Sequence, residues 1–291
     1  MSLSLLLCAA INQTTPAPRV VINSFLDGQI FYLDRPEPIV EIGMMQIAFP
    51  PSEQFKTRLV IKEGETVVGE TEFWDENAVR AGAFAEVRAK KGTQKLGTNS
   101  GKRTFEVYVN EALAGKFDFS LTKSTGGDPL DPKVAWKIVG PWKDLAILKH
   151  KADDGSRQDL LLTYWVANYE LSAPNNKITT IVKKGGTVIA KNEKARAYGL
   201  AYSQIMLPLV RANNNPYTVK DLSSMAGTYT IEVKDGTRSL RNWTFSIASG
   251  EFVSHPRSDF NKTSHLSWLP GRIQIESHVS PFSMFWLGPK E

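Results

Sequence analysis

Alternation of apolar and polar side chains is clearest at residues 227–236, where apolar residues occupy every second position from Tyr229 to Val233. Threonine and charged residues fill the positions between them. A period of two is typical of a β-strand with one buried side and one solvent-facing side. The Asp-Gly pair that ends the stretch predicts a hairpin turn, because both residues tolerate positive φ. A second alternating strand follows at 243–247.

The same plan occurs earlier in the chain, at 104–109 and 117–121. Three sets of matching residues align the two copies in the same order. They are Gly64, Thr66 and Val67 with Gly185, Thr187 and Val188; Thr104, Phe105 and Val107 with Thr228, Tyr229 and Ile231; and Phe117, Phe119, Ser120 and Leu121 with Trp243, Phe245, Ser246 and Ile247. The offset between the copies grows along the chain, as loop insertions in a duplicated domain would make it. The pattern predicts two copies of one β-sandwich unit.

The stretch 227–233 resembles the penultimate strand of immunoglobulin-like (Ig-like) sandwiches. In that family a tyrosine at the start of the strand hydrogen-bonds back to the preceding corner. The resemblance implies that Tyr229 is such a tyrosine corner. Phe105, at the matching position of the first copy, has no hydroxyl, and the inter-sheet cysteines of the family are absent. The implied fold is all-β, with two tandem Ig-like antiparallel β-sandwich domains, and the resemblance concerns fold rather than function.

Shifts in composition divide the chain into segments. Residues 1–18 look like the remnant of a secretory or lipoprotein signal followed by a polar linker, and Cys8 is the expected site of lipid attachment. The two sandwiches are predicted at 19–123 and 133–252. A run rich in Gly, Asp and Pro at 124–132 is predicted to be the linker between them.

Residues 253–291 lie outside the repeat and form an aromatic-rich C-terminal extension. The segment is too apolar for a solvated tail, so it is expected to cover a groove between the sandwiches, an exposed sheet edge or a partner protein. We predict that it docks on a protein partner. The side chains expected to make this contact are Trp268, Ile273, Ile275, Phe282, Phe285 and Trp286.

Charge and composition exclude several classes of protein. No run of about 18 apolar residues occurs, so no transmembrane helix is predicted. The net charge is +5, but the basic residues are scattered and the densest basic patches, 88–91 and 183–184, are short. We therefore predict no nucleic-acid partner, since such a surface needs a longer basic stripe. Cys8 is the single cysteine, so no disulfide can form within the chain and packed cores must hold the domains.

Motifs for catalysis are missing from the sequence. It contains no Gly-x-Ser-x-Gly, no phosphate-binding loop and no dinucleotide fingerprint. Four residues of the C-terminal extension have the chemistry of metal ligands, but their spacing matches no compact zinc motif. They are His255, Asp259, His265 and His278. We predict no catalytic residue, no metal and no cofactor.

The seven tryptophans fall into two groups. Those within alternating strands are expected in the core: Trp136, Trp165 and Trp243. The others lie near turns or in the C-terminal extension: Trp74, Trp142, Trp268 and Trp286. An exposed indole at such a position can stack on a sugar ring or anchor a protein contact.

These observations favour a non-enzymatic, exported structural or interaction protein. It is expected in the periplasm, at the cell surface or outside the cell, as a subunit of a surface or envelope-associated assembly. A carbohydrate-binding or adhesion module is the first alternative, with a glycan as partner. An enzyme whose catalytic groups come from loops of both domains is the second.

Overall fold

A computed structural model of the chain establishes an all-β protein. It describes residues 17–51, 53–81, 84–128, 131–143, 145–151, 159–173, 177–195, 201–252, 273–275 and 282–287. Strands account for 65% of the described residues and helices for 8%, and the sheets are antiparallel. The prediction of an all-β fold is therefore confirmed. No helix among the described residues has the length and apolar character needed to cross a membrane.

Two sheets make up the described part of the first half. Its elements are β1 (Arg19–Val20), α1 (Ile22–Asp27), β2 (Gln29–Tyr32), β3 (Ile39–Ile42), β4 (Met44–Ala48), β5 (Thr57–Glu63), β6 (Thr66–Ala81), β7 (Phe84–Ala89), β8 (Thr93–Lys95), β9 (Gly101–Val109), β10 (Ala112–Asp128) and β11 (Asp131–Val139). The larger sheet has the order β1-β4-β7-β6-β5-β9-β10-β11, and the smaller has the order β2-β3-β8. They pack face to face, because the ring of Phe31 on β2 lies 6.3 Å from Phe105 on β9 and 5.6 Å from Phe119 on β10.

The second half is also built from two packed sheets. Its elements are β12 (Ala146–Lys151), β13 (Leu160–Ala167), β14 (Lys177–Lys184), β15 (Thr187–Ala195), β16 (Tyr202–Pro208), α2 (Val219–Ser223), β17 (Gly227–Asp235), β18 (Arg238–Ala248), β19 (Glu251–Phe252), β20 (Ile273–Ile275) and β21 (Phe282–Leu287). The sheet orders are β16-β13-β12-β21-β20 and β15-β14-β17-β18-β19. Tyr164 on β13 joins them, because its hydroxyl lies 2.7 Å from that of Thr180 on β14 and its ring 5.7 Å from Trp243 on β18.

The same seven-strand order occurs in both halves. The layer β2-β3-β8 corresponds in chain order to β12-β13-β16, and β6-β5-β9-β10 corresponds to β15-β14-β17-β18. The hairpins β5–β6 and β14–β15 also turn alike, with φ of 59° at Gly64 and 53° at Gly185. Their registers shift at matching positions, just before Lys62 and Lys183. These correspondences agree with the alignment of matching residues in the sequence.

Tyr229 is fully buried at the start of β17. Its ring stacks on Phe245 with 4.8 Å between centroids, and its hydroxyl donates a hydrogen bond to the backbone carbonyl of Met225, four residues upstream. The bond closes the corner through which the chain enters the strand. Phe105, the matching residue of the first half, packs in its core without a hydroxyl.

Replacing Tyr229 by Phe is expected to lower the free energy of unfolding by about 1 kcal/mol, the usual net contribution of one hydrogen bond. Urea denaturation followed by tryptophan fluorescence measures the change. Tyr217→Phe is the matched control, because the Tyr217 hydroxyl donates over a longer 3.3 Å to the carbonyl of Ile189. A loss in the control equal to that in Tyr229→Phe would contradict the expected role of the corner bond.

A long hairpin occupies the segment that the sequence predicts as a linker at 124–132. Strand β10 continues to Asp128, and β11 pairs back along it over nine residue pairs, from Val139 with Ser120 to Asp131 with Asp128. Gly, Asp and Pro favour tight turns as well as linkers, so composition alone does not distinguish a hairpin turn from a linker between domains. As a result, β11 extends the larger sheet of the first half.

One apolar core connects the two halves. Trp142, in a single 3-10 turn between β11 and β12, is fully buried. Its ring lies 5.5 Å from Phe119 of the first half and stacks on Tyr202 of the second half, 4.4 Å between centroids. The Tyr202 hydroxyl donates to the carbonyl of Leu26 in α1. The position of Trp142 near a turn gives no sign in the sequence that it lies in this shared core.

Polar contacts beside this core fix the same interface. The carboxylate of Asp27, the last residue of α1, accepts hydrogen bonds from two side chains of the second half. Trp165 Nε1 donates over 3.1 Å to one oxygen, and Gln204 Nε2 donates over 2.7 Å to the other. Both carboxylate oxygens of Asp27 are therefore engaged across the contact between the halves. Trp136, Trp165 and Trp243 are all buried, as predicted.

Candidate functional site

Trp74 is the largest of the side chains that the described residues leave exposed, with half of its surface open to solvent. It lies on β6 opposite Arg88 on β7, and Arg88 in turn lies opposite Met44 on β4. Residues directly opposite each other in an antiparallel sheet share a face, so these three side chains form one row across three strands. We define the Trp74 face as Met44, Glu72, Trp74, Arg88 and Lys90.

Strand alternation explains why Trp74 points outward. Phe73, immediately before it, is buried in the core of the first half. Asp75, immediately after it, accepts a hydrogen bond of 2.5 Å from the backbone amide of Thr57 on β5. Because successive residues of a strand point to opposite faces, burial of Phe73 forces Trp74 to the outside. The indole is thus presented on a strand rather than on a loop, at the last regular pair before the β6–β7 register shifts between Trp74 and Val79.

Charged side chains surround the indole. The ammonium of Lys90 lies 5.0 Å from the Trp74 ring centroid and 3.1 Å from a carboxylate oxygen of Glu72. A cation at this distance is attracted by the π-face of the ring. The Arg88 side chain is 75% exposed, and Glu86 Oε1, its nearest recorded acid oxygen, is 3.7 Å away, which is too long for a hydrogen bond.

Charges elsewhere on this side of the sheet are closely paired. Arg58 lies 3.1 Å from Glu70 and 2.8 Å from Glu111, and the hydrogen bond to Glu111 is the main reason that the pKa of Arg58 is raised. Burial by itself would raise the pKa of Glu106, but hydrogen bonds from Lys62 and Tyr108 hold it below its usual value. Arg88 differs from Arg58 and Lys62 in having no acid oxygen within hydrogen-bonding distance among the described residues.

The chemistry of the Trp74 face suits binding. An indole, a thioether and a guanidinium offer apolar contact area and hydrogen-bond donors, and Trp and Arg are prominent among the residues that dominate protein interfaces.

Among the residues that the structure describes, no cluster of three or more His, Cys, Asp and Glu could hold a metal ion.

Part of the C-terminal extension covers a sheet edge, which is one of the three roles predicted for it. Strand β21 pairs with β12 over six residue pairs, from Leu287 with Ala146 to Phe282 with Lys151, and β20 pairs with β21. The docking side chains predicted in this segment lie outside the described residues. The backbone of five of these residues is placed in the two strands, at Ile273, Ile275, Phe282, Phe285 and Trp286, and Trp268 is outside the described residues altogether. Their contact with a partner remains a prediction.

Cys8 and the residues considered as metal ligands also lie outside the described residues: His255, Asp259, His265 and His278. Of the two described tryptophans that the sequence places near turns, Trp74 is exposed and Trp142 is buried. The sequence does not indicate Arg88 or Met44 as site residues, because only the register of β4, β7 and β6 places them beside Trp74. The alternation of Phe73 and Trp74 is the one local signal of the site.

Comparison with known proteins gives no match: no protein-family model, no curated protein and no solved structure is similar to this chain.

Proposed function

We propose that the protein is a non-enzymatic, exported interaction protein that serves as a subunit of a cell-surface or envelope-associated assembly. The Trp74 face carries this proposal. It places Trp74, Arg88 and Met44 in one row across three strands, and Trp and Arg are enriched among the residues that dominate binding energy. The strands already fix the backbone of the row, so docking of a protein partner has to order only its side chains.

Two tandem Ig-like sandwiches are the architecture we propose for this subunit. A set of three strands in one sheet and a set of four in the other support it, since both sets recur in the same chain order in each half. The hydrogen bond from Tyr229 to Met225 supports it for the second half, where it has the form of the tyrosine corner of that family. The sandwich fold does not itself indicate a function.

The connection between the halves supports a scaffolding role. Trp142, Tyr202 and Asp27 join the two halves through stacking and hydrogen bonds. A body joined in this way can present two docking surfaces to the same assembly. We propose that a second contact is made by the C-terminal extension through Trp268 and its neighbours, and that lipidated Cys8 anchors the assembly to a membrane.

Site-specific photo-crosslinking tests the proposed docking surface. With a photoreactive benzophenone side chain in place of Trp74, irradiation of cells of the source organism is expected to yield a discrete adduct with one protein. The control places the same group at Val188, which is 53% exposed on the second half. No discrete adduct from position 74, or the same adducts from both positions, would refute the proposal.

A carbohydrate-binding or adhesion module is the second candidate function, and the arrangement around Trp74 is the observation that favours it. An exposed indole on a flat sheet can stack on a sugar ring, and Lys90 and Arg88 can donate hydrogen bonds to its hydroxyls. A glycan array probed with the intact protein and with Trp74→Ala distinguishes the two functions. Binding that depends on Trp74 would favour the glycan, and binding no higher than background would exclude it.

A further inference from the structure

We propose that the partner segment bound by the Trp74 face is an acidic peptide. A carboxylate of this peptide binds the Arg88 guanidinium, while neighbouring apolar side chains pack on Trp74 and Met44. The inference rests on the proposed function, since it specifies the chemistry of the partner that docks on the same face.

The pairing of charges on the sheet carries the first step. Arg58 and Lys62 each have a recorded acid partner at 2.8 Å or less, and Lys90 has one at 3.1 Å. Among the described residues, the acid oxygen nearest to Arg88 is that of Glu86, at 3.7 Å, and the Arg88 side chain is 75% exposed. Because three quarters of this side chain is open to solvent, an acid from outside can reach its guanidinium. A planar guanidinium binds a carboxylate through two parallel hydrogen bonds, which gives both strength and a fixed geometry.

The position of Arg88 carries the second step. Arg88 lies between Trp74 on one neighbouring strand and Met44 on the other. Neighbouring strands are about 4.8 Å apart, so an apolar side chain on either side of the bound carboxylate meets one of these two residues. Covering the indole and the thioether would also exclude water from the ion pair, which strengthens it. The row thus selects a carboxylate that has apolar neighbours.

The charge around Arg88 also favours an acidic partner over a basic one. The basic run 88–91 places Lys90 and Lys91 close to Arg88 in the chain. Glu72 neutralises Lys90 and Glu86 reduces the field of Arg88, so the attraction is local and depends on Arg88. An exposed ion pair of this kind weakens as salt screens the charges.

Met44 favours a peptide over a saccharide. A thioether is flexible and polarisable, so it adapts to apolar side chains of different shape. Sugar hydroxyls would instead be better served by a polar neighbour at that position. Met44 retains 36% of its surface exposed in the row, so it is accessible to such a contact.

Peptide titration against the full chain tests the inference. Three soluble peptides of equal length carry the same apolar residues beside Glu, Gln or Lys, and a heparin oligosaccharide forms a fourth arm. Binding is followed by NMR of methyl-labelled methionine, since the chain has only six methionines and Met44→Leu assigns the Met44 signal. We expect the Glu peptide to shift this signal with at least tenfold higher affinity than the Gln peptide, and the Lys peptide to give no shift.

Variants connect the result to Arg88. Arg88→Gln is expected to lower the affinity of the Glu peptide to that of the Gln peptide, and Arg88→Lys to give an intermediate value. Val188→Ala, far along the chain on another sheet, should leave the affinity unchanged. Equal affinity for the Glu and Gln peptides, no shift with any peptide, or tighter binding of heparin would each overturn the inference.

The proposed function is judged by a separate result. A discrete crosslink at position 74 together with equal binding of the Glu and Gln peptides would retain the docking surface and remove only its acid preference. Absence of the crosslink would remove the docking surface itself, and the acidic-peptide inference with it.

Discussion

Replacing Trp142 by Ala is expected to lower the free energy of unfolding by about 3–5 kcal/mol, the usual cost of removing a buried tryptophan side chain. The residue is fully buried and contacts both halves, with Phe119 on one side and Tyr202 on the other. Its loss should therefore also uncouple the halves. We expect thermal unfolding followed by calorimetry to separate into two transitions, and X-ray scattering in solution to report a broader distribution of inter-half distances.

Trp243→Ala is the matched control for Trp142→Ala. Trp243 is equally well buried but belongs to the core of the second half alone. Its replacement should cost a similar free energy while leaving the scattering profile of the folded protein unchanged. A scattering profile unchanged in both variants, with one cooperative transition in each, would contradict the role of Trp142 as the connection between the halves.

Deleting residues 253–291 is expected to expose an unpaired strand edge. Strand β12 makes its outer hydrogen bonds to β21, over six residue pairs that begin with Ala146 and Leu287. Without β21 the backbone groups on this side of β12 lose their partners, and an unpaired edge tends to pair with another chain. We expect a lower thermal midpoint and a shift from the intact protein's oligomeric state to larger species. Differential scanning fluorimetry and light scattering after size exclusion measure the two effects.

A shorter truncation after Leu287 is the control for the loss of β21, because it removes only residues 288–291 and leaves that strand in place. It should behave like the intact protein in both measurements. The same pair of truncations tests the predicted docking segment when partner retention is measured alongside stability. Loss of stability with full retention of the partner would mean that the extension only completes its own sheet.

Local patterning in the sequence accounts for much of the fold. The alternation at 227–236 gives strand β17 and its inward residues, because a period of two leaves no other way to bury Tyr229, Ile231 and Val233 together. The Asp-Gly pair at the end of this stretch accounts for the hairpin turn that follows β17. The matched hairpins at Gly64 and Gly185 are visible as a repeat, since a tight turn with positive φ restricts the residue type.

Features that depend on contacts distant in sequence cannot be predicted in this way. The composition of the segment 124–132 suits a turn and a linker equally, and only pairing with the preceding strand decides between them. Trp142 is buried because Tyr202, sixty residues later, stacks on it. The Trp74 face requires the register of three strands, of which the sequence specifies only the alternation within each one.

The affinity of Trp74→Ala for the protein crosslinked at position 74 tests the account most directly. Trp74 is half exposed, so its replacement should leave the thermal midpoint nearly unchanged. At a binding hot spot the same replacement costs about 2 kcal/mol or more, which is roughly a thirtyfold loss of affinity by isothermal titration calorimetry. We predict this loss in a variant of unchanged stability; an affinity equal to that of the intact protein would contradict the assignment of the Trp74 face as the docking surface.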